Sequence, residues 1–500
     1  MRYGIFCSVD GKDTFLDESS DIIKFKLNNL NEVYFLEFKN VSDKSIIVYS
    51  AMLETYLTGE KVLEHGWLQC SDAFFREADE NTKKNKIFLV RDQNPFSFRE
   101  EYGYLKKSIV SEWFTIIKGE ISHLIGAVTT KDQFTQIFVK EENDRLRVRI
   151  TFQFDGISLA KNMMFKTEKL AVLAGEEERI KSQFNELIRE NMHIKKKPRP
   201  ITGVCCAYYW NCKSVNEAIC HEELDALNKK GLNIDYFQID DGYVKVGDWL
   251  DYKAKFPSGF RPIIKKAKKY GFKAGIWISP FIAENDSRLF KMHPDWFLKI
   301  KDRYLGLETS PLDFLPGLNF KVLDPTNKEV KNYLKEVFLH FKELGFELFK
   351  IDFLSSVCLI NYKEKTRAEA LREGMQFIRD ILGKEIHMLS GITQLSPIVG
   401  IFDSARVGID TLLPQVPKFP LLNEIGNHLL RQNIRSCINR KHLDFWASDP
   451  DCIVLNHGIR KNILEDHMRF IRENNGCLWI GDRVKSLTKS QIELLKSIRP

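Results

Sequence analysis

The 500-residue sequence has no apolar run close to the roughly 20 residues that a membrane-spanning helix needs. Its opening stretch, MRYGIFCSVDGKDTFLDESS, lacks an apolar core of secretory length. These two absences argue against a membrane protein and a secreted one and lead to the expectation of a soluble, cytoplasmic protein. The ten cysteines include no CxxC pair, so neither a zinc site nor a redox motif has the spacing to form. Most of them (Cys205, Cys206, Cys452 and Cys477 among them) sit in apolar, strand-like runs and read as reduced core thiols. No strand-like run leads into a glycine-rich phosphate fingerprint, which argues against a dinucleotide-dependent dehydrogenase. CHEELD, residues 220–225, lacks the second histidine of a metalloprotease helix. Neither a metal nor an organic cofactor is expected. Charge of one sign is also scarce in excess: 75 basic against 68 acidic residues leave +7, spread along the chain. Only IKKKPRP (194–200) concentrates it, and a solvated linker explains that segment better than a nucleic-acid or membrane contact.

What is present is a chain too long for one ordinary core. Up to about residue 170 the pattern has period two, as in VYFLEFKN and RLRVRITFQF, broken by Asn, Asp, Gly and Ser. This predicts an N-terminal β-sandwich over 1–170. A charged helical stretch and the basic linker fill 171–200. From 201 to 500 short apolar strands alternate with amphipathic helices. Eight strands are read, at 203–210, 234–241, 273–281, 347–354, 386–392, 404–410, 451–455 and 477–482. Ser214 with Glu217, Thr326 with Glu329, Thr366 with Glu369 and Thr488 with Gln491 have capping-box spacing, and Gly231, Gly345 and Gly383 fit helix stops. Eight such units predict a (β/α)8 TIM barrel, its last strand and helix at about 477–500, with a doubly wound sheet as the alternative.

Strand parity then selects the chemistry. In FKIDF the apolar Phe349, Ile351 and Phe353 face the helices, which turns Lys350 and Asp352 into the barrel at the strand's catalytic end. In ARVGID the same rule turns Arg406 and Asp410 inward. Asp240 and Asp241 close YFQIDD, and Trp277 faces inward from AGIWIS. A structural ion network, Lys350 with Asp352 and Arg406 with Asp410, would account for any single pair. Four strands with the same inward polarity at one end point instead to a polar-ligand pocket. Paired carboxylates with further acids and an aromatic face suit glycoside hydrolysis.

The motifs DYFQIDDGY, GDWL, FPSGF, AGIWISPF, HPDWF, FKIDFL, ARVGIDT and SDPDCIVL follow one another as in the α-galactosidases of glycoside hydrolase family 36, which the chain resembles over about 200–500. The resemblance implies a retaining exo-glycosidase of that clan, with Asp352 as nucleophile and Asp410 as acid/base. It implies that Asp240 and Asp241 grip the hydroxyls at carbons 4 and 6, that Trp277 is a stacking platform, and that Lys350 and Arg406 support the site. In the N-terminal part, Trp67 of HGW stands where the family inserts a tryptophan, although LQCSD departs from the usual continuation. Ala207 replaces the family's tryptophan after the first strand, with Trp210 nearby. SGITQ (390–394) replaces GCGSP, which alters the wall near carbon 2.

Other residues read more simply. Asp449 and Asp451 fit either a turn and barrel-closing role or substrate contact, Asp324 fits a helix cap, His293 a loop contact, and Cys205 and Cys206 the core. The expected partner is a small oligosaccharide, with neither nucleic acid nor membrane; a homo-oligomer is compatible with the sequence. A raffinose-synthase-like transglycosylase and a non-catalytic sugar-binding barrel are the alternative functions.

Overall fold

The computed structural model describes residues 1–69, 71–79, 99–195, 198–206, 209, 215–307, 319–411, 420–456, 458–474 and 476–498. Two compact units form: Met1–Lys196 with Cys358–Glu373 and Gln394–Gly400, and Lys197–Val357 with Gly374–Thr393 and Ile401–Pro500.

The first unit is a sandwich of two antiparallel sheets. One runs in the order Lys12–Asp17, Arg2–Val9, Ile46–Leu57, Arg145–Leu159, Thr135–Glu142, Ile109–Glu112. The other has eight strands, with Val33–Asn40, Leu170–Gly175, Ser122–Ala127 and Phe114–Lys118 at its centre. Period-two alternation explains the burial. In Arg145–Leu159, Leu146, Val148, Ile150 and Phe152 enter the core, whereas Arg147 and Arg149 turn away and share Glu54 at 2.9 and 2.8 Å. The core joins both inner faces, Ile5, Leu53 and Ile150 from one with Leu36, Phe38 and Ile125 from the other. Tight hairpins use two left-handed residues, Asn31–Glu32 and Asn143–Asp144, whose twist matches that of the flanking strands. The helix Glu177–Met192 buries Ile180, Phe184, Ile188 and Met192 at four-residue spacing.

Within this unit, Cys358–Glu373 delivers a fully buried guanidinium. Arg367 Nη2 meets Asp155 Oδ1 at 3.0 Å, and the Arg367 backbone N–H donates to Asp155 Oδ2 at 2.8 Å. Its Nη1 donates to the Cys358 carbonyl at 3.2 Å. Beside it the expected capping box forms: Thr366 N donates to Glu369 Oε2 (2.7 Å) and Glu369 N to Thr366 Oγ1 (3.0 Å).

The second unit is an eight-stranded parallel barrel. We label its strands β1 (Thr202–Cys206), β2 (Tyr236–Ile239), β3 (Lys273–Ile278), β4 (Leu348–Ile351), β5 (His387–Ser390), β6 (Ser404–Arg406), β7 (Ala447–Asp449) and β8 (Leu478–Ile480). Neighbours pair in chain order, and β8 returns to β1 with Thr202 opposite Leu478. Cys477 N bonds to Ser448 O at 2.8 Å across the β7–β8 seam, which nearly closes the ring. The sequence reading placed the seventh strand at 451–455; it is β7, four residues earlier. Pro450 donates no ladder bond and Asp451 is left-handed (φ 79), so the chain breaks there and only Ile453 bridges to Ile480.

Two predicted caps also move. Asn327, not Thr326, caps Lys328–Leu344, while Asp324 Oδ1 accepts from Thr326 N at 2.8 Å and so caps the preceding turn. Asn216 caps Glu217–Lys230; Ser214 lies outside the described residues. Thr488 and Gln491 make the predicted capping box, and Gly231 and Gly345 end their helices in left-handed conformations. Eight described cysteines are buried free thiols. Among the described residues, no helix is long and apolar enough to cross a membrane.

Arg367→Leu should cost about 3–5 kcal/mol, because it strands the Asp155 carboxylate in the core. Denaturant unfolding followed by tryptophan fluorescence measures this, and a loss of ~1 kcal/mol or less would mean that the pair behaves like an exposed one.

Candidate active site

The site begins on β4. Lys350 points inward as parity requires and is 7% exposed, so its ammonium needs a partner. That partner is Asp240, fully buried at the end of β2, with Nζ to Oδ2 at 2.8 Å. The Lys350–Asp352 pairing considered from sequence is not the one made. Asp240 Oδ2 also accepts from Gln238 Nε2 (2.5 Å) and the Cys205 thiol (3.2 Å), and Oδ1 from Asp241 N (2.9 Å). Cys205 is the buried core thiol read from the sequence, and it also donates to this polar floor.

Asp352 follows β4 and is held by three N–H donors. Trp277 Nε1 donates to Oδ2 at 3.0 Å; Phe353 N and Ile392 N donate to Oδ1 at 2.8 and 2.6 Å. The last of these comes from the SGITQ wall after β5. Gly391 is required there by space: a Cβ would stand 2.2 Å from Asp352 Oδ1. Trp277 thus serves the carboxylate through its indole N–H, a role that inward parity alone did not reveal.

From β6, Arg406 (5% exposed) fans out to three carboxyls. Nη2 reaches Asp410 Oδ1 at 3.0 Å, as expected from sequence, Nη1 reaches Asp451 Oδ1 at 3.2 Å, and Nε lies 4.0 Å from Asp449 Oδ2. Asp451 Oδ2 accepts from Thr411 N (2.6 Å) and from the Tyr209 hydroxyl, while Asp451 N donates to Asp449 Oδ1 at 2.9 Å. The SDPDC pair therefore anchors Arg406 beside Asp410, a function for which its motif was the only sequence signal. Buried His467 lies against this cluster, its pKa lowered by burial to about 4, so it remains a neutral ring.

Among the described residues, Asp240, Asp241, Asp352, Asp410, Asp449 and Asp451 together share the cations of Lys350 and Arg406, and the crowding of carboxyls is visible in their proton affinities. Burial, then Asp240, pushes Asp241 up to about 7. Burial raises Asp449 to about 6 against the pull of Arg406. Burial also raises Asp410 despite Arg406, with Asp451 and Asp352 adding to the rise; its side chain stays 31% accessible. Asp451 goes the other way: burial opposes ionisation, but Arg406, Lys350, Tyr209 and Thr411 hold it below the usual carboxylate range.

Asp240, Asp241, Trp277, Lys350, Asp352, Arg406 and Asp410 are thus all drawn from the catalytic ends of β2, β3, β4 and β6. Trp67 belongs to the first unit, where it is buried edge-on to Phe134 (6.3 Å between centroids). Ala207 and Trp210 fall outside the described residues. His293 stacks on Trp296 at 3.9 Å, as a loop contact.

Because Asp241 and Asp449 titrate above the roughly 3.9 of an unfolded aspartate, their protonated forms favour the folded state. The stability they add is complete below about pH 4 and is lost as pH rises towards about 6 to 7. Denaturation midpoints should therefore decline between pH 5 and 7.5, less steeply in Asp449→Asn. An unchanged slope in that variant would contradict the assignment.

Residues 166–384 match the family model described as Melibiase. Alpha-galactosidase from Escherichia coli is 39% identical over 77 residues, covering 14% of this chain and 11% of the relative. Alpha-galactosidase Mel36A from Lactobacillus acidophilus is 28% identical over 221 residues, covering 41% of this chain and 27% of the relative. The chain thus spans less than a third of the length of these curated relatives. The solved TtGalA alpha-galactosidase from Thermus thermophilus superposes with a TM-score of 0.71 at 19% identity, covering 95% of this chain and 94% of that one. For GH36 alpha-galactosidase AgaA from Geobacillus stearothermophilus the TM-score is 0.65 at 13% identity, covering 97% and 68%. At these identities the superpositions establish the fold, a β-sandwich followed by a TIM barrel. The Melibiase match over residues 166–384, the α-galactosidase relatives and the shared fold together support the resemblance to the α-galactosidases of glycoside hydrolase family 36.

Proposed function

We propose that the protein is a cytoplasmic retaining exo-α-galactosidase that removes terminal α-linked galactose from small oligosaccharides, with residues 201–500 as the catalytic barrel. The observation that carries this reading is the unequal environment of two aspartates: three N–H donors fix Asp352, while burial raises Asp410 beside Arg406. Opposed environments of this kind separate a nucleophile from a proton donor. TtGalA is described in complex with stachyose and an AgaA variant with raffinose, which supports galactosyl oligosaccharides as the substrate class. Buried free thiols fit a reducing compartment.

In the first step Asp352 attacks the anomeric carbon. The bond from that carbon to the leaving oxygen breaks as protonated Asp410 gives that oxygen its proton, and a galactosyl ester of Asp352 forms. In the second step Asp410, now ionised, takes a proton from water whose oxygen attacks the same carbon, and Asp352 leaves. Orientation of Asp352 by Trp277, Phe353 and Ile392 removes rotamer freedom before the attack. Asp240, Asp241 and Lys350 supply acceptors and a donor for ring hydroxyls, and the Trp277 face receives the apolar side of the sugar. Trp67 is assigned to substrate binding on the resemblance alone.

With raffinose the expected products are free galactose and sucrose; longer galactosyl oligosaccharides in their place would make the protein a transglycosylase. Asp352→Gly should reduce turnover of an aryl α-galactoside to background and, with azide, release β-galactosyl azide. Asp410→Ala should lose about 10²–10⁴-fold with a poor leaving group and, with azide, yield α-galactosyl azide. Exchanged azide products would reverse the two roles. The alkaline limb of kcat/KM should be set by Asp410 losing its proton and should vanish in Asp410→Asn; its persistence would exclude Asp410 as the acid.

A further inference from the structure

Asp410 stands on irregular chain. β6 ends at Arg406, and residues 407–411 continue beyond it without regular structure. A carboxyl carried on such a segment keeps one position only if the peptide groups beside it are bonded. On one side of Asp410, Ile409 N donates to Asn433 Oδ1 at 2.9 Å. On the other, Thr411 N donates to Asp451 Oδ2 at 2.6 Å, and the Thr411 hydroxyl donates to the Cys452 carbonyl at 2.8 Å. Two residues before Ile409, Val407 N donates to the Asp449 carbonyl at 2.9 Å, and the Val407 carbonyl accepts from Cys437 Sγ and Arg440 Nη1, both at 3.3 Å.

One face of the helix Pro420–Arg440 supplies half of this clamp. Asn433, Cys437 and Arg440 follow one another at helical spacing, so they share a face, and all three are buried. The face a helix turns to a barrel is ordinarily apolar, yet this one presents an amide, a thiol and a guanidinium to residues 407–409. Asn433 is the telling member. Its Nδ2 is buried and donates to nothing among the described residues. An amide that satisfies Ile409 N but leaves its own donor without a partner adds little to stability. The chain is nonetheless drawn tightly against it, since a Cβ at Gly408 would stand 2.3 Å from Asn433 Oδ1.

We propose that Asn433 is a positioning residue for proton transfer at Asp410. With Asp451 on the far side, it ties the N–H groups that flank the acid, and so fixes where the carboxyl stands against the leaving oxygen. Misplacing a reacting group by ~1 Å can cost about 10²-fold in rate. The inference rests on the reading of Asp410 as the acid/base.

Two leaving groups separate this role from a structural one, because phenol needs a proton to depart and dinitrophenol does not. Asn433→Leu keeps the outline of the side chain and removes the acceptor; Asn433→Ala removes the acceptor and some volume. In both, kcat/KM should fall about tenfold or more with phenyl α-galactoside and no more than about threefold with the dinitrophenyl substrate. Asn433→Asp, which keeps an acceptor for Ile409 N, should hold the phenyl substrate within about threefold of the parent enzyme. Rates are expressed per active site, counted by labelling with a fluorinated α-galactosyl fluoride whose fluoride can leave unprotonated, so that loss of folded protein does not enter. Asp410→Ala is the reference and should show the same selective loss. Selective loss in Asp410→Ala, with no loss or equal losses on the two substrates in both Asn433→Leu and Asn433→Ala, would overturn the proposal alone. So would a selective loss in Asn433→Asp as large as theirs. Equal losses on the two substrates in Asp410→Ala would overturn the acid assignment, and this proposal with it.

Discussion

Among the described residues, the mouth of the barrel is organised by the sharing of two buried cations, Lys350 and Arg406, among six carboxyls. Lys350 is committed to Asp240, which also takes the amide of Gln238 and the thiol of Cys205. Arg406 is committed to Asp410 and Asp451. Among the described residues, Asp352 is left with neutral N–H donors that orient it without a formal counter-charge at its oxygens. Separating a buried pair would leave an uncompensated charge, so this division is stiff. Asp449, reached by Arg406 only at 4.0 Å, and Asp241, beside Asp240, hold their protons at higher pH.

The same division explains why backbone segments around the site tolerate so little. The loop after β5 must bring Ile392 N to Asp352, and only a residue without a Cβ fits at 391. Gly408 faces a similar constraint, since a Cβ there would stand 2.3 Å from the amide of Asn433, which holds Ile409. Asp451 adopts φ 79, a costly conformation for a non-glycine residue, and in it faces Arg406, Tyr209 and Thr411 at once. These features belong to one constraint: the cations stay in place only if the loops carrying their partners do.

Much of this was legible in the sequence, and the reason is periodicity. Alternation in RLRVRITFQF gave a sandwich strand, and alternation in FKIDF and ARVGID turned Lys350, Asp352, Arg406 and Asp410 to one side. Parity gives direction but not partners, which is why Lys350 was set beside Asp352 when its ammonium reaches across to Asp240 on β2. It also fails where the chain leaves the strand: β7 ends at Asp449, and Asp451 reaches Arg406 through an irregular turn that no period-two pattern encodes. Thr326 and Asn327 are both good caps by composition, and the choice between them was settled by Asp324, which takes the threonine for its own turn. Cys205 is a core thiol as its apolar neighbours implied, and what they did not reveal is its hydrogen bond to Asp240 Oδ2 at 3.2 Å.

The most direct measurement is to trap the intermediate. A fluorinated α-galactosyl fluoride that forms the ester quickly and hydrolyses slowly should label the protein once per chain. Peptide mass spectrometry should then place the label on Asp352, in the peptide that contains FELFKIDFL. Label on Asp410 or on any other residue, or complete turnover to β-galactose with no label at all, would contradict the division of roles between the two aspartates.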